Sequence, residues 1–171
     1  MWTPIDQWVI DLFSAWRDPL IGQVMVYLSK IVDYWLWFFV VIYFVIKKKP
    51  YGYCYGFTLL GGTIFYEYIL KPLFHRPRPC QLDSGINYLI ACPANYSFPS
   101  GHTTMSFIAA TLLFGYDRKV GIVAYLLAAL IAVSRLYLGV HYFSDVVGGI
   151  VIGIAIATVG IKIMKINENN S

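Results

Sequence analysis

Three histidines stand in this chain, His75, His102 and His141, and two of them sit among residues that could do chemistry on an anion. His141 lies four residues before Asp145. On a helix that spacing puts both on one face, so the carboxylate can accept a hydrogen bond from one ring nitrogen and leave the other free to act as a nucleophile. His102 closes the tetrapeptide Pro99, Ser100, Gly101, His102, where it can protonate a leaving group and afterwards deprotonate water. His75 has no such partner. Lys71, Arg78 and Arg135 supply positive charge, the arginines with a planar fork that matches phosphate oxygens. The block around Gly101 adds backbone donors: Pro99 fixes the approach, Gly101 permits close contact, and a helix starting there turns free N–H groups and its positive dipole end toward an anion. Phosphoryl transfer needs such a set, because charge on the non-bridging oxygens must be held throughout in a site screened from water.

These residues fall in three ordered blocks, KPLFHRPRP (Lys71 to Pro79), PSGH (Pro99 to His102) and SRLYLGVHYFSD (Ser134 to Asp145). The blocks resemble the signature of the type 2 phosphatidic acid phosphatase family, which shares its phosphate site with vanadium-dependent haloperoxidases. Lys71, Arg78, Pro79, Pro99, Ser100, Gly101, His102, Ser134, Arg135, His141 and Asp145 carry the match. The resemblance implies a metal-independent phosphatase on an all-helical membrane bundle. His141 would be the nucleophile, Asp145 its orienter and His102 the acid and base, with Lys71, Arg78, Ser100, Gly101 and Arg135 binding phosphate. The intermediate would be a phosphohistidine. One buried cation alone could snorkel to an interface or pair with an acid; three blocks with matching order and internal spacing argue against that. Two other classes stay open: a phosphotransferase that passes the phosphoryl group to an acceptor other than water, and a non-catalytic lipid-binding membrane protein, which would not need His141 and Asp145 at matched spacing.

The elements that must position these groups are apolar. Of 171 residues 58% are hydrophobic and 13% charged, the balance of a multi-span membrane protein read as one domain over residues 1–171. A hydrocarbon core about 30 Å thick asks for roughly 20 apolar residues per helix. Hydropathy places five spans near 27–46, 51–70, 100–116, 119–138 and 143–164, where family members usually have six. The first is ambiguous, because Asp18-Pro19 starts a helix well and a helix from Leu20 to Ile46 either tilts or breaks between Ser29 and Asp33. Ahead of it, Ile5, Trp8, Val9, Leu12, Phe13 and Trp16 recur at helical spacing against Asp6, Gln7 and Asp11, a pattern for an interfacial helix or one packed on the bundle. No cleavable signal peptide is evident in MWTPIDQWVIDLF.

On this map all three blocks open to one membrane face. Lys47, Lys48, Lys49, Arg118, Lys119, Lys162 and Lys165 fall on the other, which makes that one cytoplasmic once Lys71, Arg78 and Arg135 are set apart as site residues. The site then faces outward in the cell membrane, where Cys80 and Cys92, both in the connection 71–99, can pair in an oxidising compartment. Neither a zinc-spaced Cys/His set nor a carboxylate cluster for magnesium is present, so no cofactor is expected. The net charge of +4 is spread along the chain, which argues against nucleic acid and for a phosphorylated lipid partner in the bilayer. Candidate substrates are polyprenyl diphosphate, phosphatidylglycerol phosphate, phosphatidic acid and a lipid A phosphate, with polyprenyl diphosphate or another simple lipid phosphate favoured; the oligomeric state is left open. Glu67, four before Lys71, reads as a structural helix pair, Lys30 and Asp33 as a neutralising pair, and Gly149, Gly153, Ala157 and Gly160 as a helix-packing row.

Overall fold

The computed structural model describes residues 3–32, 35–46, 50–82 and 89–169, and every regular element among them is helical. In order they are α1 (Pro4–Ala15), α2 (Pro19–Val32), α3 (Trp35–Ile46), α4 (Pro50–Phe65), a π-helical turn (Tyr66–Leu70), α5 (Lys71–Phe74), α6 (Pro79–Leu82), α7 (Gly101–Tyr116), α8 (Arg118–Tyr137) and α9 (Phe143–Asn169). Local chemistry sets the boundaries. Thr3 and Asp6 form a capping box ahead of α1, with Pro4 in the first turn. Asp117 gives its N–H to Leu113 O, ending α7, while its carboxylate accepts from the Lys119 and Val120 N–H groups and starts α8. Gly139, at φ 71°, turns the chain from α8 toward α9 in the left-handed region that glycine tolerates.

Helix α7 is the hub, packed on α8, α9 and α4, with α2 on α8, α3 on α4, and α1 against α8 and α9. Its residues Thr103 to Leu113 are all buried. Close approach comes from missing side chains: a Cβ on Gly149 would lie 3.0 Å from Ser100 O, and one on Gly153 2.6 Å from Thr104 O. Gly160 meets Thr58 of α4 in the same way, and Ala157 is fully buried. The row Gly149, Gly153, Ala157, Gly160 is therefore a seam within the chain.

Polarity is reversed relative to a water-soluble protein. Phe57, Tyr68 and Leu73 on α4, the π turn and α5, Val123 and Leu126 on α8, and Val151 and Val159 on α9 point outward, whereas Lys71, Arg78, Arg135, His141 and Asp145 are buried. A hydrocarbon solvent selects that arrangement, since polar groups must be satisfied inside it.

Among the described residues two helices are each long and apolar enough to cross a membrane, Arg118–Tyr137 and Phe143–Lys165, and they coincide with the last two expected spans. The others take different forms. Helix α7 is held to 16 residues by Asp117, and α4 runs on through the π turn and α5 to Phe74. The expected span 27–46 is described as α2 up to Val32 and α3 from Trp35, with positions 33 and 34 outside the described residues. The Lys30–Asp33 pair and the cluster Lys47 to Lys49 involve positions outside the described residues. Helix α1 turns Ile5, Trp8 and Leu12 outward, but Asp6, expected on its polar face, is fully buried with Val9.

Candidate active site

Antiparallel packing gathers four helix ends. Lys71 follows the end of α4, Gly101 and His102 open α7, Arg135 lies in the last turn of α8, and His141 in the link to α9. These five and Arg78, from the connection after α5, line one cavity of about 150 Å³, completed by Tyr66, Glu67, Pro93, Asn95 and Met105. Ser100 and Asp145, also expected in the site, are fully buried and stand behind this lining. Ser100 gives its N–H to Asp145 O at 3.1 Å, and its hydroxyl accepts from Thr103. His75 is exposed and packs its ring on Tyr96, outside the cavity lining.

The expectation that His141 and Asp145 share a helical face needs correction. Helix α9 begins at Phe143, so His141 precedes it. Asp145 sits in the first turn and reaches back to accept the Tyr142 N–H at 2.9 Å, the half of a capping box that an N3 carboxylate supplies. The direct contact from His141 Nδ1 to Asp145 Oδ2 is 3.5 Å. Ser97 fills the gap, its hydroxyl donating to Asp145 Oδ2 at 2.5 Å and lying 3.4 Å from Nδ1. On the other side of the ring, Arg78 Nη1 lies 3.0 Å from Nε2. A guanidinium can only donate, so Nε2 carries a lone pair and the ring proton belongs on Nδ1, facing Ser97 and Asp145. The imidazole is thus set with its unprotonated Nε2 on the side of Arg78, and both residues line the cavity.

The two arginines are held by partners from distant parts of the chain and the lysine by a near neighbour. Arg78 donates through Nε to Asn95 O at 2.8 Å, through Nη1 to Val140 O at 2.9 Å and through Nη2 to Asn95 Oδ1 at 2.7 Å. Lys71 pairs with Glu67 at 2.5 Å, and the other oxygen of Glu67 accepts from Asn95 at 2.7 Å. Arg135 donates to Ser29 of α2. A disulfide joins Cys80 and Cys92 between Arg78 and Asn95. Burial, opposed by Asp145 and Glu67, brings the Arg78 guanidinium down to about 10. Burial, and then the charges of Arg78, Arg135 and Lys71, push His141 well below the ordinary imidazole value, which keeps it neutral at physiological pH.

Sequence reasoning missed a second layer. Arg76 donates through Nη1 to Asp145 Oδ1 at 2.6 Å and Ser144 Oγ at 2.7 Å, and through Nη2 to Asp6 Oδ2 at 2.8 Å. The Ser144 N–H donates to Asp6 Oδ1 at 2.8 Å. Burial acts to raise the Asp6 pKa, but bonds from Thr3, Ser144 and Arg76 outweigh it and bring the carboxyl down to about 2. The one signal was the first arginine of the Arg76 to Pro79 repeat; Asp6 and Ser97 carried none.

The fold and the site have known counterparts. A family model for the PAP2 superfamily matches residues 51–168. An undecaprenyl-diphosphatase of Sulfolobus acidocaldarius is 31% identical over 152 residues, covering 84% of this chain and 70% of that protein. Undecaprenyl-diphosphatase BcrC of Bacillus subtilis is 32% identical over 101 residues, 59% of this chain and 51% of the relative. For several curated relatives the chain spans about half their length, 51% and 48% in two of them. Among solved structures, Aquifex aeolicus LpxE superposes with a TM-score of 0.79 at 30% identity, covering 90% of this chain and 92% of that one. Since the family model takes in all three blocks and the helices that carry them, the chain belongs to the PAP2 superfamily.

Proposed function

We propose that this protein is an integral-membrane lipid phosphatase that works through a phosphohistidine at His141. The observation that carries the reading is the shared cavity: two histidines and three cations line it, and His141 holds an unprotonated Nε2 on the side of Arg78. Oxygens of the lipid phosphate take their contacts from Lys71, Arg78, Arg135 and the Gly101 N–H. Ser100, with its N–H given to Asp145, holds the loop from behind and reaches phosphate through its hydroxyl alone. His141 Nε2 attacks phosphorus, the bond from phosphorus to the lipid oxygen or the leaving phosphate breaks, and His102 gives that oxygen a proton. Asp145, through Ser97, balances the imidazolium character that develops on His141. A water that has given its proton to His102 then cleaves the phosphorus–nitrogen bond, releasing inorganic phosphate. Three fixed cations supply the charge that a metal would otherwise bring, so the reaction is metal-independent.

The favoured substrate is a polyprenyl diphosphate, in line with the two undecaprenyl-diphosphatases among the relatives. The remaining helices complete the crossing begun by α8 and α9: α2 with α3, α4 with α5, and α7, five spans in all, with α1 in the interface on its outward Ile5 and Trp8. The cavity faces the outer side. Arg118, Lys119, Lys162 and Lys165 gather at the opposite end of the bundle, and the Cys80–Cys92 bond belongs to an oxidising compartment.

Purified protein given radiophosphate-labelled undecaprenyl diphosphate in detergent with EDTA should release phosphate. Rapid quenching should leave label on the peptide containing His141, and His141→Ala should abolish both signals. A fully active His141→Ala variant overturns the nucleophile, and loss of activity in EDTA overturns metal independence.

A further inference from the structure

We infer that Asp6 and Arg76 form a positioning pair that fixes the carboxylate behind the nucleophile, tying the first helix of the chain to catalysis. The inference rests on the phosphohistidine reading above. Asp145 Oδ2 faces Ser97 and His141 only while the carboxylate keeps one rotation about its terminal bond, a torsion that is intrinsically broad. Arg76 removes that freedom by binding Oδ1 at 2.6 Å. A guanidinium held at that one point could swing, but this one has three further contacts. Its second arm ends on Asp6 at 2.8 Å, its first arm also reaches Ser144 Oγ at 2.7 Å, and its plane lies 4.1 Å from the centre of the Tyr142 ring, within reach of a cation–π contact.

Asp6 is itself fixed from two sides. It accepts from the Thr3 N–H at 3.0 Å and from the Ser144 N–H and hydroxyl at 2.8 Å each. Two carboxylates from opposite ends of the sequence thus meet at the start of α9, where the free N–H groups and the dipole favour negative charge, with Arg76 between them. Asp6 and Arg76 do not line the cavity, so they do not touch phosphate. Their loss should affect the histidine's alignment and leave the phosphate grip alone.

The test compares Asp6→Asn, Arg76→Gln and the double variant with the wild type and His141→Ala, in the full chain. Readouts are kcat, KM for undecaprenyl diphosphate, and the inhibition constant of inorganic phosphate. Each single variant should lose on the order of 10-fold to 100-fold in kcat, as supporting residues behind a ligating histidine do, short of the roughly 10⁴-fold lost when a triad aspartate is itself neutralised. KM and phosphate inhibition should stay within about twofold, and the double variant should be no worse than the weaker single one, since members of one chain are not additive. Wild-type kcat in Arg76→Gln, or a kcat loss matched by an equal loss of phosphate inhibition, overturns the pair. If His141→Ala is inactive while the pair variants are not, only this inference falls; if His141→Ala is active, the phosphohistidine reading falls first.

Discussion

The α7–α9 seam offers a perturbation whose sign can be worked out atom by atom. In Gly153→Ala the new methyl would stand 2.6 Å from Thr104 O, 3.0 Å from Phe107 Cβ and 3.2 Å from Ile108 N. Two of those three atoms belong to the backbone of a buried helix, so no rotamer change relieves them. The helices must part until the shortest distance reaches the 3.4 Å at which ordinary contact begins. Overpacking of this kind costs about 1–3 kcal/mol, and the gain from replacing a helical glycine by alanine returns only about 0.5–1 kcal/mol. The net loss should be on the order of 1–2 kcal/mol, or about 2–8 °C in Tm for a chain of this size. Gly61 on α4 is the internal control, since a Cβ there meets nothing within 4 Å; Gly61→Ala keeps the propensity gain without the clash and should raise Tm by about 1–4 °C. Thermal unfolding in one detergent reads both variants. Because α7 carries His102 and α9 carries Asp145, kcat should fall in Gly153→Ala and hold in Gly61→Ala. Equal shifts in the two variants would refute the claim that the glycine seam sets the distance between these helices.

Two further outcomes follow from the charge and covalent ties around Arg78. His141 is held below its ordinary value of 6.5, so the acidic limb of kcat/KM that it governs lies below that pH, with activity lost only as pH falls through the lowered value. Arg78 opposes protonation of the ring. Arg78→Gln should therefore raise the His141 pKa and move the limb to higher pH, and a limb that stays put or moves down in the residual activity contradicts the assignment. The Cys80–Cys92 bond closes a loop between Arg78 and the Asn95 that holds it, a constraint of roughly 3 kcal/mol for a loop of this order. Reduction with dithiothreitol should raise KM and lower Tm; unchanged values of both would show that Arg78 is held without it.

The cavity wall was legible in the sequence because it is built from short blocks. The PSGH tetrapeptide, the spacing from His141 to Asp145 and the cations Lys71, Arg78 and Arg135 each announce themselves within a dozen residues, and hydropathy alone sent the three blocks to one end of the bundle. Helices α8 and α9 were legible for the same reason, being unbroken apolar runs. What supports the wall was not. Asp6 reaches Arg76 across 70 positions and Ser144 across 138, and Ser97 meets Asp145 from 48 positions away. In a one-dimensional pattern Asp6 is simply the polar residue of an amphipathic helix. Only the packing of α1 on α8 and α9 shows that Asp6 lies on the inner side with Val9, while Gln7 and Asp11 stay exposed alongside Ile5 and Trp8. The ambiguity at the first span had a local cause, the helix start at Asp18-Pro19, and α2 does begin there.

Lys71 shows how a register, as well as a contact, can be invisible in sequence. Along α4 and into the π turn the outward stripe runs through Phe57, Leu60, Ile64 and Tyr68, while Tyr55, Leu59 and Tyr66 are buried. Each residue of an α-helix advances the direction of its side chain by about 100°. Carried forward without a break, that rotation puts position 71 over the stripe of Phe57 and Ile64, which would point the ammonium at lipid. The π turn at Tyr66–Leu70 takes one extra residue into a single turn and so turns everything after it back by about 100°. That offset carries Lys71 from the stripe to the side of Tyr66, where it is 3% exposed and lines the cavity. Glu67, inside the same turn, stays within reach and neutralises it. A phosphate entering the cavity competes for Lys71 with this carboxylate, so the pair read from the sequence as structural is also the charge that keeps the unliganded site from holding three uncompensated cations.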